Sequence, residues 1–151
     1  MRLVIQRVSR AVCRVDGKIT GEIDAGLLVF VGVGQGDELS DVEWLVRKVA
    51  GLRVFEDDEG RMNRSLLDHG GSVLAISQFT LYGSLKKGSR PSFNRSADPE
   101  TGNELFERFK EKLAEELKKP VASGIFAADM KIEAHNDGPV TLIVDSRQRD
   151  F

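Results

Sequence analysis

Residues 77–81, Ser-Gln-Phe-Thr-Leu, combine side-chain types that could bind and position a reactive carbonyl group. They end an apolar run, and Ser77, Gln78 and Thr80 place hydrogen-bonding groups around the flat ring of Phe79. If the strand continues, Gln78 and Thr80 share one face and can converge on one ligand. No base stands beside Thr80 in the sequence, which disfavours activation of the Ser-His type. These residues instead favour an oxyanion site made of backbone N–H groups, together with substrate positioning.

A second unusual pair, Gly138-Pro139, precedes the apolar run at residues 140–144. Glycine tolerates backbone conformations that other residues avoid, and proline removes a ladder donor at the start of a strand. The pair can therefore turn backbone carbonyl oxygens outward, where they can bind an ammonium group. An ordinary strand-entry turn is the alternative, and the presence of the 77–81 segment favours the binding role.

The motifs of the common nucleophile and zinc mechanisms are missing from the sequence. It contains no Gly-Xaa-Ser-Xaa-Gly, His-Glu-Xaa-Xaa-His or Cys-Xaa-Xaa-Cys pattern. His69 and His135 stand in a polar loop and at a strand end, and Cys13 lies in an apolar run that predicts packing. The glycines of residues 32–37 lack the spacing of a dinucleotide fingerprint, which predicts a plain strand-to-helix turn. The sequence therefore predicts no metal site.

Composition predicts one domain over residues 1–151, since 40% of the residues are hydrophobic and 30% are charged. No run approaches the ~20 apolar residues that span a bilayer, so we expect a cytoplasmic protein without a membrane contact. The net charge of −2 excludes a large electrostatic footprint on nucleic acid. A local exception runs from residue 82 to 97, where the sequence has no acid and four cations: Lys86, Lys87, Arg90 and Arg95. It is either a solvated loop or the path of an anionic substrate.

The elements that must position these residues follow from hydrophobic periodicity. Four strands are predicted at residues 3–8, 11–15, 18–23 and 27–33, with turns at 16–17 and 25–26. A capping box at residues 40–43 predicts a helix from about 40 to 52.

An irregular connection over residues 56–72 leads into the strand 72–76, which delivers the 77–81 segment. Asp98 and Pro99 predict the start of a second helix, which Pro120 ends. Two further strands are predicted at residues 130–134 and 140–144. Runs of strands with two main helices indicate an α+β fold whose mostly antiparallel sheet curls toward a barrel.

Several ordered segments resemble the D-aminoacyl-tRNA deacylases, and they span nearly the whole chain. Ser-Gln-Phe-Thr-Leu at 77–81 and Gly-Pro-Val-Thr at 138–141 are the most specific, and their residues match the main branch of the family. The other matching segments are residues 1–8, 62–63, 70–74, 90–93 and 124–130.

The resemblance implies a homodimer that hydrolyses the ester between a D-amino acid and the 3′-terminal adenosine of tRNA, with no metal or cofactor. It also implies action on glycine mischarged on tRNA(Ala) and rejection of L-aminoacyl-tRNA. Gly138 and Pro139, joined by a cis bond, would enter the partner's pocket, where their carbonyl oxygens bind the substrate's amino group.

The resemblance leaves two roles open for Thr80, which is either the nucleophile or a residue that positions the 2′-hydroxyl of the tRNA. We expect Ser77 and Gln78 to take part in catalysis beside it. Phe79 and Met130 are expected to shape the pocket, and Arg7 to brace the Gly138-Pro139 turn. Two other functions remain alternatives: a non-catalytic module that binds tRNA ends, and a metal-free esterase for small molecules.

Overall fold

The first strands form an antiparallel meander in the computed structural model, which describes residues 1–150. Its strands are β1 (Arg2–Val15), β2 (Lys18–Ile23) and β3 (Gly26–Gly32). Asp16 and Gly17 both have positive φ, at 49° and 76°, as a two-residue hairpin turn of type I′ requires. The prediction of separate strands at 3–8 and 11–15 is wrong, because β1 continues through exposed polar residues without a turn.

Two long helices cover the sheet, as predicted: α1 (Leu39–Ala50) and, later in the chain, α3 (Pro99–Leu117). The cap of α1 is not the predicted box at 40–43, since the helix begins earlier and the Asp41 carboxylate accepts the Glu38 N–H at 2.8 Å. The start of α3 is confirmed, because the Asp98 carboxylate accepts the Thr101 N–H at 2.9 Å.

Between the long helices lie β4 (Phe55–Glu56), β5 (Met62–Arg64), a short helix α2 (Leu66–His69) and β6 (Ser72–Ser77). A 3-10 turn (Phe79–Tyr82) follows β6, and β7 (Ala122–Ser123) and β8 (Lys131–Asp145) complete the chain. The small hairpin and α2 correct the expectation of an irregular connection over residues 56–72.

The main sheet is mixed and nearly closed. Its strand order is β2-β1-β3-β6-β7, with β8 on the other side of β1. The pairs β3-β6 and β6-β7 are parallel, and the pairs of β1 with β2, β3 and β8 are antiparallel. The two ends approach closely, because a Cβ built on Gly21 of β2 would lie 2.6 Å from the carbonyl oxygen of Ser123 in β7. The predicted curl toward a barrel is confirmed.

Two apolar cores hold the elements together. The larger one packs α1 and α3 on one face of the sheet, where Leu45, Phe106 and Phe109 are fully buried. The smaller one fills the concave face and includes Cys13, which is buried as expected. Burying each large side chain contributes about 1.5–3 kcal/mol. Across residues 1–150, no helix combines the length and apolar character that crossing a membrane requires.

Strand β8 contains both strands predicted near the end of the chain, joined by a local excursion. It pairs with β1 at Val8↔Asn136 and resumes at Gln6↔Thr141, so residues 137–140 stand opposite Arg7 alone. The four residues bulge out of the ladder at this point. The predicted turn is therefore an interruption inside one strand, and the fold presents Gly138-Pro139 on it.

Candidate active site

A cavity of about 490 Å³ opens where β6 ends. Four of the residues singled out in the sequence line it: Ser77, Gln78, Phe79 and Met130. The other walls come from the start of α3 and from residues 126–129. The fold thus brings the 77–81 segment together with a part of the chain some fifty residues later.

The backbone changes direction at Gln78, at the edge of the cavity. The Gln78 N–H donates to the carbonyl oxygen of Val31 at 2.8 Å, which is the last backbone hydrogen bond of this segment to β3, and the 3-10 turn begins at the next residue. The strand alternation predicted for residues 77–81 is therefore wrong beyond Ser77. The convergence of Gln78 and Thr80 still occurs, because the tight turn brings the Gln78 amide to donate to the Thr80 hydroxyl.

Thr80 lies beside the cavity without lining it, and its side chain is exposed. Among residues 1–150 its hydroxyl has the Gln78 amide as side-chain partner, with no imidazole, carboxylate or amine hydrogen-bonded to it. An amide cannot accept the hydroxyl proton as a general base does. This environment suits a hydroxyl that orients a neighbour.

Phe79 forms an open wall at the mouth of the cavity. Its side chain is 59% exposed, although it is a large aromatic residue. The ring packs edge-on against Phe93, with the ring centroids 5.0 Å apart, and its backbone carbonyl oxygen accepts the Ser96 hydroxyl at 3.0 Å. The position of Phe79 is thus fixed from one side while its other side stays available.

The two acids of the cavity are already engaged. The Asp98 carboxylate caps α3, and the hydrogen bond from the Thr101 backbone N–H lowers its pKa. The Asp129 carboxylate pairs with the ammonium group of Lys131 at 2.7 Å. The lowered pKa keeps the Asp98 carboxyl group ionised near neutral pH, so it is unsuited to act as a general acid. The cavity therefore supports binding and orientation better than acid–base chemistry.

A second cavity of about 450 Å³ lies behind the 3-10 turn and is polar. Burial, and the nearby carboxylates of Asp37 and Asp145, raise the pKa of Tyr82 well above its usual value. Its hydroxyl stays protonated at neutral pH and cannot serve as a base.

Gly138-Pro139 lies outside the first cavity and faces solvent. The bond between the two residues is cis, as predicted, and Gly138 has a φ of +126°. The guanidinium group of Arg7 lies against this turn, since its Nε donates to the carbonyl oxygen of Asp137 at 3.0 Å. Arg7 thus contacts the turn, while the structure does not bring the turn and the 77–81 segment of one chain into the same cavity.

Sequence comparison decides the family. A sequence profile described as D-Tyr-tRNA(Tyr) deacylase matches residues 4–145. The chain belongs to the D-Tyr-tRNA(Tyr) deacylase family. Within it, the D-aminoacyl-tRNA deacylase of Opitutus terrae is 54% identical over 150 residues, covering 99% of this chain and 100% of the relative. The protein of the same name from Chromobacterium violaceum is 52% identical over 147 residues, covering 97% and 98% of the two chains.

Two solved structures are similar in fold to this chain. The chain matches the c-Myc DNA Unwinding Element Binding Protein with a TM-score of 0.91 and 35% identity, over 96% of this chain and 98% of that one. It matches a probable eukaryotic D-amino acid tRNA deacylase with a TM-score of 0.81, over 95% and 97% of the two chains. That second pair is 17% identical, so it shows the fold alone.

Sequence reasoning missed much of the cavity wall of this deacylase-family chain. Pro99, Gly102 and Phe106 lie on α3, for which the sequence predicts a helix and no role at a site. Phe126 and Ala127 belong to residues 124–130, which the sequence marks only through the resemblance. Ala127 has a positive φ of 61°, an uncommon value for a residue with a Cβ, and nothing in its residue type indicates that conformation.

Proposed function

We propose that the chain hydrolyses the ester of D-aminoacyl-tRNA and releases tRNA and the free D-amino acid. The observation that carries this proposal is the meeting of Ser77, Gln78 and Phe79 with Met130 around one cavity, in a member of this family. The cavity has about the volume that encloses a small ligand. It would hold the terminal adenosine and its aminoacyl group.

In this mechanism the protein positions an ester that is already activated. The first N–H groups of the 3-10 turn, at Phe79 and Thr80, have no acceptor within the turn. They would bind the carbonyl oxygen as it gains negative charge, and each such donor contributes about 10²–10³-fold in rate. Gln78 and Thr80 orient the neighbouring 2′-hydroxyl of the tRNA, which assists the attack. The absence of a base bonded to Thr80 among residues 1–150 supports this assignment.

Selection for D-amino acids would come from a second copy of the chain. Gly138-Pro139 is exposed on β8, and the same strand exposes two apolar side chains, Leu142 and Ile143, which are 37% and 43% accessible. Exposed apolar residues on an outer strand favour a subunit interface. In the homodimer the turn would reach the partner's cavity, where its carbonyl oxygens bind the amino group and its bulk excludes L side chains. Glycine has no side chain to exclude, so glycyl-tRNA(Ala) is a further substrate.

The test is hydrolysis by purified protein of D-Tyr-tRNA, L-Tyr-tRNA and a simple D-tyrosine ester. Rapid cleavage of D-Tyr-tRNA with L-Tyr-tRNA left intact is expected. Equal cleavage of the simple ester would instead indicate a small-molecule esterase, and binding without cleavage would indicate a tRNA-end module. Sedimentation velocity over a dilution series tests the dimer, since an active monomer would rule out action across subunits.

A further inference from the structure

Residues 83–96 form a segment, here called the basic arm, that concentrates positive charge beside the cavity. The segment contains no acid, and its four cations are all exposed: Lys86, Lys87, Arg90 and Arg95. Within residues 1–150 none of the four forms a salt bridge, although most of the other arginines do. An exposed cation without an ion-pair partner is stabilised by water, so it remains available to bind an incoming anion.

Backbone hydrogen bonds give the basic arm a defined shape. Ser84 and Ser92 exchange two of them, at 2.8 and 3.0 Å, which closes the tip of the arm into a narrow hairpin. At its far end the carbonyl oxygen of Arg95 accepts the Gln35 N–H at 3.0 Å. The charges are therefore carried by a folded element that is tied to the sheet.

The basic arm is also joined directly to the cavity. Its Phe93 ring contacts the ring of Phe79, and its Ser96 hydroxyl donates to the Phe79 carbonyl oxygen. Phe79 is the residue at the cavity mouth, so any chain that leaves the cavity past Phe93 meets the arm. A ligand small enough to sit inside the cavity has no need of these charges.

The net charge of the whole chain is opposite in sign to that of the basic arm. The chain is acidic, with a net charge of −2, and four cations in one segment leave the remainder more negative still. An acidic surface repels a polyanion everywhere except at a local positive site. The basic arm can thus set both the place and the direction in which a polyanion approaches.

We propose that the basic arm binds the phosphodiester backbone of the RNA immediately behind the aminoacylated 3′ end. This inference rests on the proposed function, because the cavity must hold that end. Each lysine that neutralises a phosphate adds about 0.7 to the slope of log affinity against log salt for a single strand, and about 0.9 for a duplex. The arm thereby distinguishes a tRNA from a free aminoacyl ester.

The experiment compares the double variant K86Q/K87Q with the control K18Q/R47Q. The control removes the same charge from exposed cations on β2 and α1, where no salt bridge is lost. Both variants and the wild type are assayed with D-Tyr-tRNA and with the 3′-D-tyrosyl ester of adenosine, at 50 and 200 mM KCl. Thermal unfolding checks that both variants fold.

For the arm variant we expect kcat/KM on D-Tyr-tRNA to fall at 50 mM KCl. Between 50 and 200 mM KCl, kcat/KM of the wild type should fall by a factor roughly 10-fold larger than the factor for the arm variant, which corresponds to two phosphate contacts. Cleavage of the adenosine ester should be unchanged, and the control variant should match the wild type on both substrates. Weaker binding of uncharged tRNA by the arm variant in a filter assay would add direct support.

Three outcomes overturn the inference, and they are distinguishable. If the wild type cleaves both substrates and K86Q/K87Q keeps its salt dependence, the arm does not bind phosphates while the proposed function stands. If the wild type cleaves neither substrate, the proposed function fails and takes the arm's role with it. An arm variant that loses the adenosine ester as well would show that the arm acts on the cavity itself.

Discussion

Arg7 and Asp137 lie 130 positions apart in the sequence, and the Arg7 Nε donates to the Asp137 carbonyl oxygen at 3.0 Å. The same guanidinium group donates from Nη1 to the carbonyl oxygen of Val54 at 2.6 Å. Arg7 is 7% exposed, and its bond to Val54 is buried while its bond to Asp137 is partly buried. The turn that carries Gly138-Pro139 is thereby fixed to the interior of its own subunit.

Replacing Arg7 with lysine should separate the turn from the interior. The donors of a lysine ammonium group share one nitrogen, so they cannot span the two carbonyl oxygens that the planar guanidinium group bonds from separate nitrogens. One of the two carbonyl groups would lose its partner, and we expect the free energy of unfolding to fall by about 1–3 kcal/mol. We also expect kcat/KM on D-Tyr-tRNA to fall by at least tenfold. Urea unfolding and single-turnover deacylation measure the two effects.

Arg10→Lys is the matched control for Arg7→Lys, since Arg10 lies on the same strand but is exposed and pairs with Glu22. It should leave both the stability and the rate essentially unchanged, because its ion pair is exposed to solvent. Equal behaviour of the two variants would show that Arg7 does not hold the turn.

Gly138→Ala should impair deacylation through the shape of the turn. A Cβ built on Gly138 would lie 2.9 Å from Arg7 Nη2 and 2.9 Å from Val140 Cγ2. The φ of Gly138 is +126°, a value that residues with a side chain rarely adopt. The variant should therefore displace the turn, and we expect the rate on D-Tyr-tRNA to drop by at least tenfold. The measurement is single-turnover hydrolysis of D-Tyr-tRNA and L-Tyr-tRNA.

Gly17→Ala is the matched control, because it introduces backbone strain without a new side-chain contact. Gly17 also has a positive φ, +76°, but nothing lies within 4 Å of a Cβ built there. It should lower the free energy of unfolding by about 1 kcal/mol without changing the rate.

Unchanged rates on both the D and the L ester in Gly138→Ala would count against the turn as the chiral selector.

The start of α3 and the turn that ends β1 could be predicted because their signals are local. Asp98 and Pro99 mark the start of α3 by cap chemistry that requires no distant partner. Asp16 and Gly17 mark the hairpin in the same way. The prediction of two strands in place of β1 is wrong because two exposed polar residues in the middle of β1 look like a turn in the sequence. In the structure β8 pairs with β1 before and after this point.

The cavity walls could not be derived from local pattern. Phe126 and Met130 reach Gln78 because the parallel pairing of β7 with β6 places the following loop at the end of β6. Such a pairing depends on the closure of the whole sheet. The resemblance leads us to expect a contact between Arg7 and the turn. The position of Arg7 directly opposite the turn follows only from the strand register.

Thr80→Ala should retain substantial deacylation activity. The Thr80 hydroxyl has the Gln78 amide as its side-chain partner within residues 1–150, so its loss removes an orienting contact and leaves the backbone N–H groups in place. We expect a decrease of less than tenfold in the single-turnover rate with D-Tyr-tRNA. Thr80→Ser, which keeps the hydroxyl, is the matched variant and should restore most of the difference.

A complete loss of the chemical step in Thr80→Ala, with tRNA binding unchanged, would identify Thr80 as the nucleophile. In that case a covalent acyl-enzyme should accumulate on mixing with D-Tyr-tRNA, and Thr80→Ser should form it as well. Mass spectrometry of the quenched protein detects that species.

Asp145 should make stability depend on pH in the acid range. Burial alone would raise the pKa of this carboxyl group, but hydrogen bonds from the Arg147 backbone N–H and the Arg2 guanidinium group outweigh it and lower the pKa. The stabilisation is therefore present above the pKa of the unfolded chain, about 3.9, and is lost as the pH falls through the lower folded value. Asp145→Asn should cost about 1–3 kcal/mol at pH 6, and this difference should shrink at pH 3.

Chemical denaturation at pH 3, 4 and 6 measures this convergence. Asp58→Asn is the control, because the Asp58 side chain is 91% exposed and its contact with Arg64 is screened by solvent. The control should follow the wild type at every pH. A constant difference between Asp145→Asn and the wild type from pH 6 to pH 3 would mean that the Asp145 charge contributes nothing, and that the variant acts through packing alone.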